Sequence, residues 1–264
     1  MERTNLSSVT ASPAASSLPD LPEPGGLCAI HQPNLFPRLA TLAKLFAADY
    51  WIVLDDVQFA RRDYQHRARL GVLDAPGRRQ WLTVPTRLPQ GRPTLIRDAL
   101  IVDPDRARRK TMGTLRQHYG ASPHWPTLAK VLDKVLEAFV TGRTAAVAAA
   151  SPRLLLDLLG WQGQVLLSSD LPSRPGRSQR LADLCVVTGA RAYACGTGGM
   201  TYLDPAPFAA RGIAVMPFQP PTTNIWSSGR RLTALSAVAA LGPQDVAARM
   251  RTLASEQGLP GSAA

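Results

Sequence analysis

Apolar residues along this chain fall into short blocks that alternate between two periods. Leu27-Cys28-Ala29-Ile30 and Trp51-Ile52-Val53-Leu54 are continuous apolar runs, the pattern of strands buried on both faces. Between them, Leu39, Leu42, Ala43, Leu45 and Phe46 recur at helical spacing, so residues 39–48 read as an amphipathic helix. Strand, helix and strand have the length of a parallel crossover. Asp74-Ala75-Pro76-Gly77 signals a turn, and residues 68–73 and 80–84 are expected to pair across it as a hairpin. Residues 103–119 read as a helix with Asp103 as N-cap and Pro104 at its first position. Residues 125–140 and 143–159 are two more helical stretches. Gly160 stops the second, and Pro152 is expected to kink or split it. The second half then alternates: strand 164–167, helix 177–188, strand 192–195 entering a glycine loop, short helix 205–211, strand 213–218, last helix 232–241.

That order predicts an α/β fold: a mostly parallel sheet flanked by helices, with a basic hairpin region and an inserted helical subdomain at about 103–160. Residues 26–245 read as one domain. Residues 1–25, rich in Ser, Pro and Ala, read as a disordered tail. They lack the basic start and apolar core of a secretory signal. Residues 246–264 read as a C-terminal tail. No apolar run approaches the roughly 18 residues that a membrane helix needs, so no membrane association and a cytoplasmic location are expected. Cys28, Cys185 and Cys195 form an odd, low count without metal spacing. This argues for a reducing compartment, against a disulfide framework and against a metal site.

The formal net charge of +11 changes the picture of partners. Of the 30 basic residues only Lys44, Lys110, Lys130 and Lys134 are lysine; the rest are arginine. Such a field attracts anions, and the guanidinium fork suits phosphate and carboxylate. Nucleic acid is a weak candidate, because few aromatics are interleaved with the arginines and no nucleic-acid motif appears.

In open α/β sheets ligands gather at the carboxyl ends of the strands. Ile30-His31-Gln32-Pro33-Asn34 and Leu54-Asp55-Asp56-Val57-Gln58 put polar residues there. His31 suits general acid–base work, against the plainer reading of a helix-capping histidine. Gln32, Asn34 and Gln58 suit substrate orientation, and Asn34 alternatively caps the next helix. One of Asp55 and Asp56 is expected to face the site, since neighbours on a strand point to opposite faces. It would orient His31 or bind a divalent cation. Cys195 precedes Gly196-Thr197-Gly198-Gly199, a place for a nucleophile whose oxyanion the amides around Gly196 and Gly198 would meet. The plainer reading is a small buried hydrophobe, as for Cys28 and Cys185. Arg67 and Arg69, following Arg61 and Arg62, would form an anion clamp or a solvated basic face. Lys44 would point into the cleft or snorkel to the surface. Ser168 and Ser169 end another strand, and Asn224 and Trp226 lie in a segment placed to act as a lid.

HQPNLFP, DDVQF, Tyr64-Gln65-His66-Arg67-Ala68-Arg69 and Trp81-Leu82-Thr83-Val84-Pro85 resemble, in order, motifs of the WbqC-like protein family. Leu167-Ser168-Ser169, Gly189-Ala190, Cys195 to Gly199, Tyr202-Leu203-Asp204 and Gly212-Ile213 extend the likeness over roughly residues 27–243. Arg38 stands where the family usually has tryptophan, and His66-Arg67-Ala68 replaces an NRN-like triplet. The family often has serine at the position of Cys195. The resemblance implies a role in bacterial surface-polysaccharide or natural-product biosynthesis, without naming a reaction.

The expected function is group transfer: acyl or aminoacyl transfer from a carrier-protein or coenzyme A thioester to a small-molecule amine. Cys195 would accept the acyl group and His31 would relay protons. No tightly bound cofactor is expected; a phosphopantetheine thioester is the candidate donor and an acyl or peptidyl carrier protein the candidate partner. The alternatives are a metal-dependent nucleotide-sugar or nucleotidyl transferase at Asp55 and Asp56, and a non-enzymatic nucleic-acid-binding module.

Overall fold

A computed structural model describes residues 26–73 and 75–259. Chain order is β1 (Leu27–His31), α1 (Leu39–Phe46), β2 (Tyr50–Val53), β3 (Arg67–Val72), β4 (Ala75–Thr83), β5 (Thr86–Arg87), β6 (Leu100–Ile101), α2 (Pro104–Tyr119), α3 (Trp125–Glu137), α4 (Thr144–Leu158), β7 (Gln164–Leu167), α5 (Arg177–Val187), β8 (Ala192–Gly196), α6 (Thr197–Met200), α7 (Ala206–Ala209), β9 (Ala214–Phe218), α8 (Asn224–Gly229), α9 (Ala234–Leu241) and α10 (Pro243–Glu256). The main sheet has the order β7-β2-β1-β8-β9, and every pairing in it is parallel. The α/β architecture read from the apolar pattern is therefore the architecture of the molecule.

Strand alternation divides the core between the two sheet faces. Leu27, Ala29, Trp51, Val53, Ala192 and Ala194 join one buried cluster with α1, α9 and α10. Cys28, Ile30, Tyr50, Ile52, Tyr193 and Cys195 join the other, with Ala182, Leu184 and Cys185 of α5. Burial on both faces explains why the strands read as unbroken apolar runs.

The hairpin forms as expected, with Ala68 opposite Leu82 and Arg69 opposite Trp81; Asp74 of its turn lies outside the described residues. Asp103 caps α2 by accepting from Arg106 N at 3.0 Å. Residues 103–160 do not enclose a core of their own. Leu115, Leu128, Leu132, Phe139 and Leu155 belong to the same cluster as Leu27 and Trp51.

Four sequence expectations change. Pro152 does not split α4, which runs unbroken over Thr144–Leu158. A proline lacks the N–H that would reach the carbonyl four residues back, and the Ser151 hydroxyl stands 3.4 Å from that carbonyl, Ala148 O. The tail expected from residue 246 is mostly helix: α10 buries Val246, Ala247, Met250 and Leu253. The segment holding Asn224 and Trp226 is helix α8 rather than a lid, and Trp226 is part of the core. The glycine loop after β8 is the single helical turn α6. Residues 1–25, expected as a tail, lie outside the described residues.

Candidate functional site

From β1 the chain crosses to β2 on one side, and after β7 it returns to β8 on the other. The carboxyl ends of β1 and β8 therefore flank the point where strand order reverses, where open sheets hold ligands. The two strands pair only at Leu27–Ala192 and Cys28–Tyr193, then diverge. A cleft of about 700 Å³ opens there, lined among others by His31, Gln32, Asn34, Arg38, Lys44 and Gly196.

The loop after β1 is held from both sides. Leu35 N donates to Tyr64 O at 2.9 Å. Phe36 N donates to Ser151 Oγ at 2.8 Å, and Ser151 Oγ lies 3.3 Å from Asn34 O. Phe36 takes a positive φ of 41°, a strained conformation for a bulky residue, and these bonds hold the loop that contains it. His31 Nδ1 lies 2.7 Å from Gln32 O. A carbonyl only accepts, so Nδ1 carries the proton and Nε2 keeps its lone pair. Burial, then the positive charge of Lys44, pushes the imidazole down to about 3, and His31 is neutral at physiological pH. Gln32 Oε1 accepts from Gln65 Nε2 at 2.6 Å. Asn34 is 4% exposed and its Oδ1 has no partner. It does not cap α1, whose N-cap is Arg38.

Lys44 does not snorkel; it is 6% exposed. His31 O accepts from Leu54 N on the β2 side, so alternation turns the Ile30 carbonyl toward β8. That carbonyl has lost its strand neighbour to the divergence, and Lys44 Nζ donates to it at 3.3 Å. Burial lowers the Lys44 ammonium to about 8, against smaller upward contributions from Cys195 and Cys28. The Lys44 stem passes beside Gly196, where an added Cβ would stand 3.9 Å from its Cδ.

Cys195 is absent from the cleft lining. It is fully buried, and a Cβ on Gly199 would come within 2.7 Å of its Sγ, so the α6 turn covers the sulfur. Burial pushes its thiol up, only partly offset by Lys44. A shielded, protonated thiol is a poor nucleophile. The lack of a side chain at Gly199 serves this close approach. Gly196 and Gly198 do line the cleft.

Neither Asp55 nor Asp56 lines the cleft, and the His31 ring is held by the Gln32 carbonyl instead. Asp55 is buried and accepts from Ser169 N at 3.1 Å and Ser169 Oγ at 3.0 Å, while Ser168 Oγ lies 3.2 Å from its Oδ1. Asp56 pairs with Arg180 and with the Ser168 hydroxyl. Asp55, Asp56, Ser168 and Ser169 latch the ends of β2 and β7 together. Both carboxylates are thus engaged by serines and arginine, and among the described residues no group of three or more His, Cys, Asp or Glu is arranged to hold a metal ion.

Gln58 is exposed and donates to Arg92 O at 2.7 Å, outside the cleft lining. Arg67 and Arg69 share a strand face, as the clamp reading requires. Their guanidinium carbons lie 4.5 and 4.6 Å from the Trp81 ring centroid, and Trp81 is 5.8 Å from Tyr64, over which Arg38 stacks at 4.6 Å. The basic hairpin therefore adjoins the cleft through Tyr64 and Arg38 without lining it. Sequence reasoning missed Arg38, Asp63, Tyr193 and Arg230, which all line the cleft. Arg38 and Asp63 lie beside motifs already singled out. Arg230 comes from a distant segment and carries no local signal.

Among the described residues no helix is long and apolar enough to cross a membrane. The uncharacterized protein Rv1507c of Mycobacterium tuberculosis (strain ATCC 25618 / H37Rv) is 28% identical to this chain over 190 residues, covering 71% of this chain and 79% of its own. No solved structure matches the chain. The model of the WbqC-like protein family matches residues 32–231, from the Gln32 loop to just past Arg230, and so takes in most of the residues that line the cleft, beginning one residue after His31: this chain belongs to the WbqC-like protein family.

Proposed function

We propose that the cleft transfers an acyl or aminoacyl group from a thioester to an amine by direct attack, without a covalent intermediate on Cys195. The observation that carries this reading is a neutral imidazole and a buried ammonium side by side in one cleft, His31 and Lys44. The new bond joins the amine nitrogen to the acyl carbon, and the bond that breaks is carbon–sulfur. His31 Nε2 takes the amine proton and passes it to the leaving thiolate. Lys44 faces the negative charge that develops on the carbonyl oxygen. Burial, and then Lys44, make His31 a weak base on its own. An anionic substrate beside Lys44 and Arg38 offsets their share of that effect and raises the basicity when it is needed.

A donor carried on phosphopantetheine or coenzyme A brings phosphate with it, and the arginines around Trp81 lie next to the cleft to receive it. A carrier-protein partner and a place in surface-polysaccharide or natural-product biosynthesis are part of the same reading. The test incubates the protein with a panel of acyl- and aminoacyl-coenzyme A donors and pooled amines, and follows thiol release and amide mass. His31→Ala and Lys44→Met are each expected to lower turnover by about 10²-fold, whereas Cys195→Ala keeps most of it. Thiol release without amide, or loss of turnover in a folded Cys195→Ala protein, would overturn direct transfer.

A further inference from the structure

Two buried side-chain atoms of cleft-lining residues have no protein partner, and their chemistry is specific. Asn34 Oδ1 is a buried acceptor without a donor. Arg38 Nε is a buried donor without an acceptor, although the same guanidinium stacks on Tyr64 and gives NH1 to Arg230 O at 3.4 Å. A buried polar group left unpaired is unfavourable, and proteins seldom keep one without a use. One group asks for an N–H or O–H from a ligand, and the other for an oxygen.

Charge points the same way. Lys44, Arg38 and Arg230 line the cleft, and Asp63 is its one carboxylate. None of the four is in an ion pair within 4.0 Å among the described residues. Asp63 uses Oδ1 to accept from Tyr64 N at 2.8 Å, and no donor is seen at Oδ2. Three cations against one anion leave an excess of two positive charges. A single carboxylate on the ligand would balance half of that, and a phosphate dianion all of it. A neutral ligand amine would donate its N–H groups to Asp63 and Asn34 Oδ1, leaving that balance intact and its lone pair free to attack. A cleft of about 700 Å³ falls in the size range that holds ligands well beyond a free amino acid.

We infer that the amine substrate of this cleft is a phosphorylated amine, with its phosphate or diphosphate at Lys44, Arg38 and Arg230 and its amino group at Asn34 and Asp63. The inference rests on the reading of the cleft as the place where an amine is acylated, and it supplies the chemical class of that amine. The phosphate also places an anion beside His31, which the proton transfer requires.

The test is calorimetric titration of the full chain at low salt with glucosamine 6-phosphate, glucose 6-phosphate and glucosamine, and with uridine diphosphate-glucosamine to separate a simple phosphomonoester from a nucleotide-linked amine. An amine with phosphate is expected to bind at least tenfold more tightly than the compound lacking either group. Arg38→Gln and Lys44→Met should weaken both sugar phosphates by tenfold or more. Asp63→Asn should erase the advantage of the amine and leave glucose 6-phosphate unchanged. Asn34→Asp, which keeps the shape and strengthens the acceptor, should widen that advantage if folding is intact by thermal melting. Failure of both phosphorylated amines to bind, or equal binding with and without the amino group, overturns the inference. Binding without turnover would leave it standing and count against the transfer reading. Turnover confined to amines without phosphate would do the reverse.

Discussion

The Lys44 ammonium donates to the Ile30 carbonyl at 3.3 Å, and this bond ties α1 to the strand end where strand order reverses. A lysine with 6% exposure is costly to keep charged. Its pKa falls from 10.5 to about 8, a penalty on the order of 3 kcal/mol at neutral pH. Lys44→Met removes that penalty and leaves one carbonyl unpaired, which costs about 1–3 kcal/mol. The two effects offset, so the variant is expected to be at least as stable as the wild type in urea unfolding at pH 7, while transfer activity falls. A large loss of stability would mean that Lys44 is there to hold the fold.

Removing Lys44 also acts on His31, whose imidazole is lowered by burial and then by the lysine charge. Lys44→Met is expected to raise the His31 pKa from about 3, read by NMR titration of the ring. An unchanged value would mean that the Lys44 charge plays no part in setting it.

Gly199 and Cys195 test the covalent route from the opposite direction. A methyl on Gly199 would meet the sulfur at 2.7 Å, so Gly199→Ala is expected to cost about 1–3 kcal/mol by overpacking and to make the thiol react faster with a disulfide reagent as α6 lifts. Cys195→Ala costs roughly 1 kcal/mol, the scale of one buried methylene, and should rescue much of the Gly199→Ala defect in the double variant. Equal thiol reactivity in wild type and Gly199→Ala would show that α6 is not what shields Cys195.

The parallel sheet was legible in the sequence because strands buried on both faces leave unbroken apolar runs, as in Leu27 to Ile30. The placement of His31 and Gln32 at the cleft followed from the strand-end rule. Lys44 could be read either way: between Ala43 and Leu45 it suits snorkelling and burial equally, and what decides is the parting of β1 from β8, which depends on strand order. Asp55 and Asp56 were visible as strand-end carboxylates, but their partners Ser168, Ser169 and Arg180 lie more than a hundred residues away in sequence. No local pattern announces a latch. The helix α10 did leave a signal, with Pro243 at its start and Val246, Ala247, Met250 and Leu253 at helical spacing. Proximity to the terminus outweighed it.

The latch makes its own prediction. Asp55→Ala leaves Ser169 N and the Ser169 hydroxyl without this acceptor, while Ser168 keeps Asp56, and should cost on the order of 3 kcal/mol, with turnover per folded molecule unchanged. The second carboxyl adds a pH signature. Burial alone would raise Asp56, but hydrogen bonds from Arg180 and Ser168 and the Arg180 charge hold it below its usual value of 3.8. A carboxyl held lower in the folded than in the unfolded chain adds stability above the ordinary carboxylate range, and this is lost as pH falls through the folded value. Arg180→Gln is therefore expected to be less stable than wild type at pH 7 and to converge with it on acidification. Parallel stability curves down to low pH would remove Asp56 from that role.

Activity should carry the complementary signature on the alkaline side. His31 is neutral from about pH 3 upward, so it sets no limb in the neutral range. Lys44 loses its proton through about pH 8, and with it the charge that meets the developing oxyanion. Transfer is expected to fall as pH rises past 8. Stability moves the other way: the unfolded lysine binds its proton up to 10.5, the unfolded chain holds more protons between the two values, and stability rises with pH across that window. Lys44→Arg keeps a cation through the whole range and should flatten the alkaline limb of whatever activity it retains. The measurement is kcat/KM from pH 6 to 10 for both proteins, with thermal melts over the same range. An alkaline limb that persists unchanged in Lys44→Arg would assign it to a group other than Lys44.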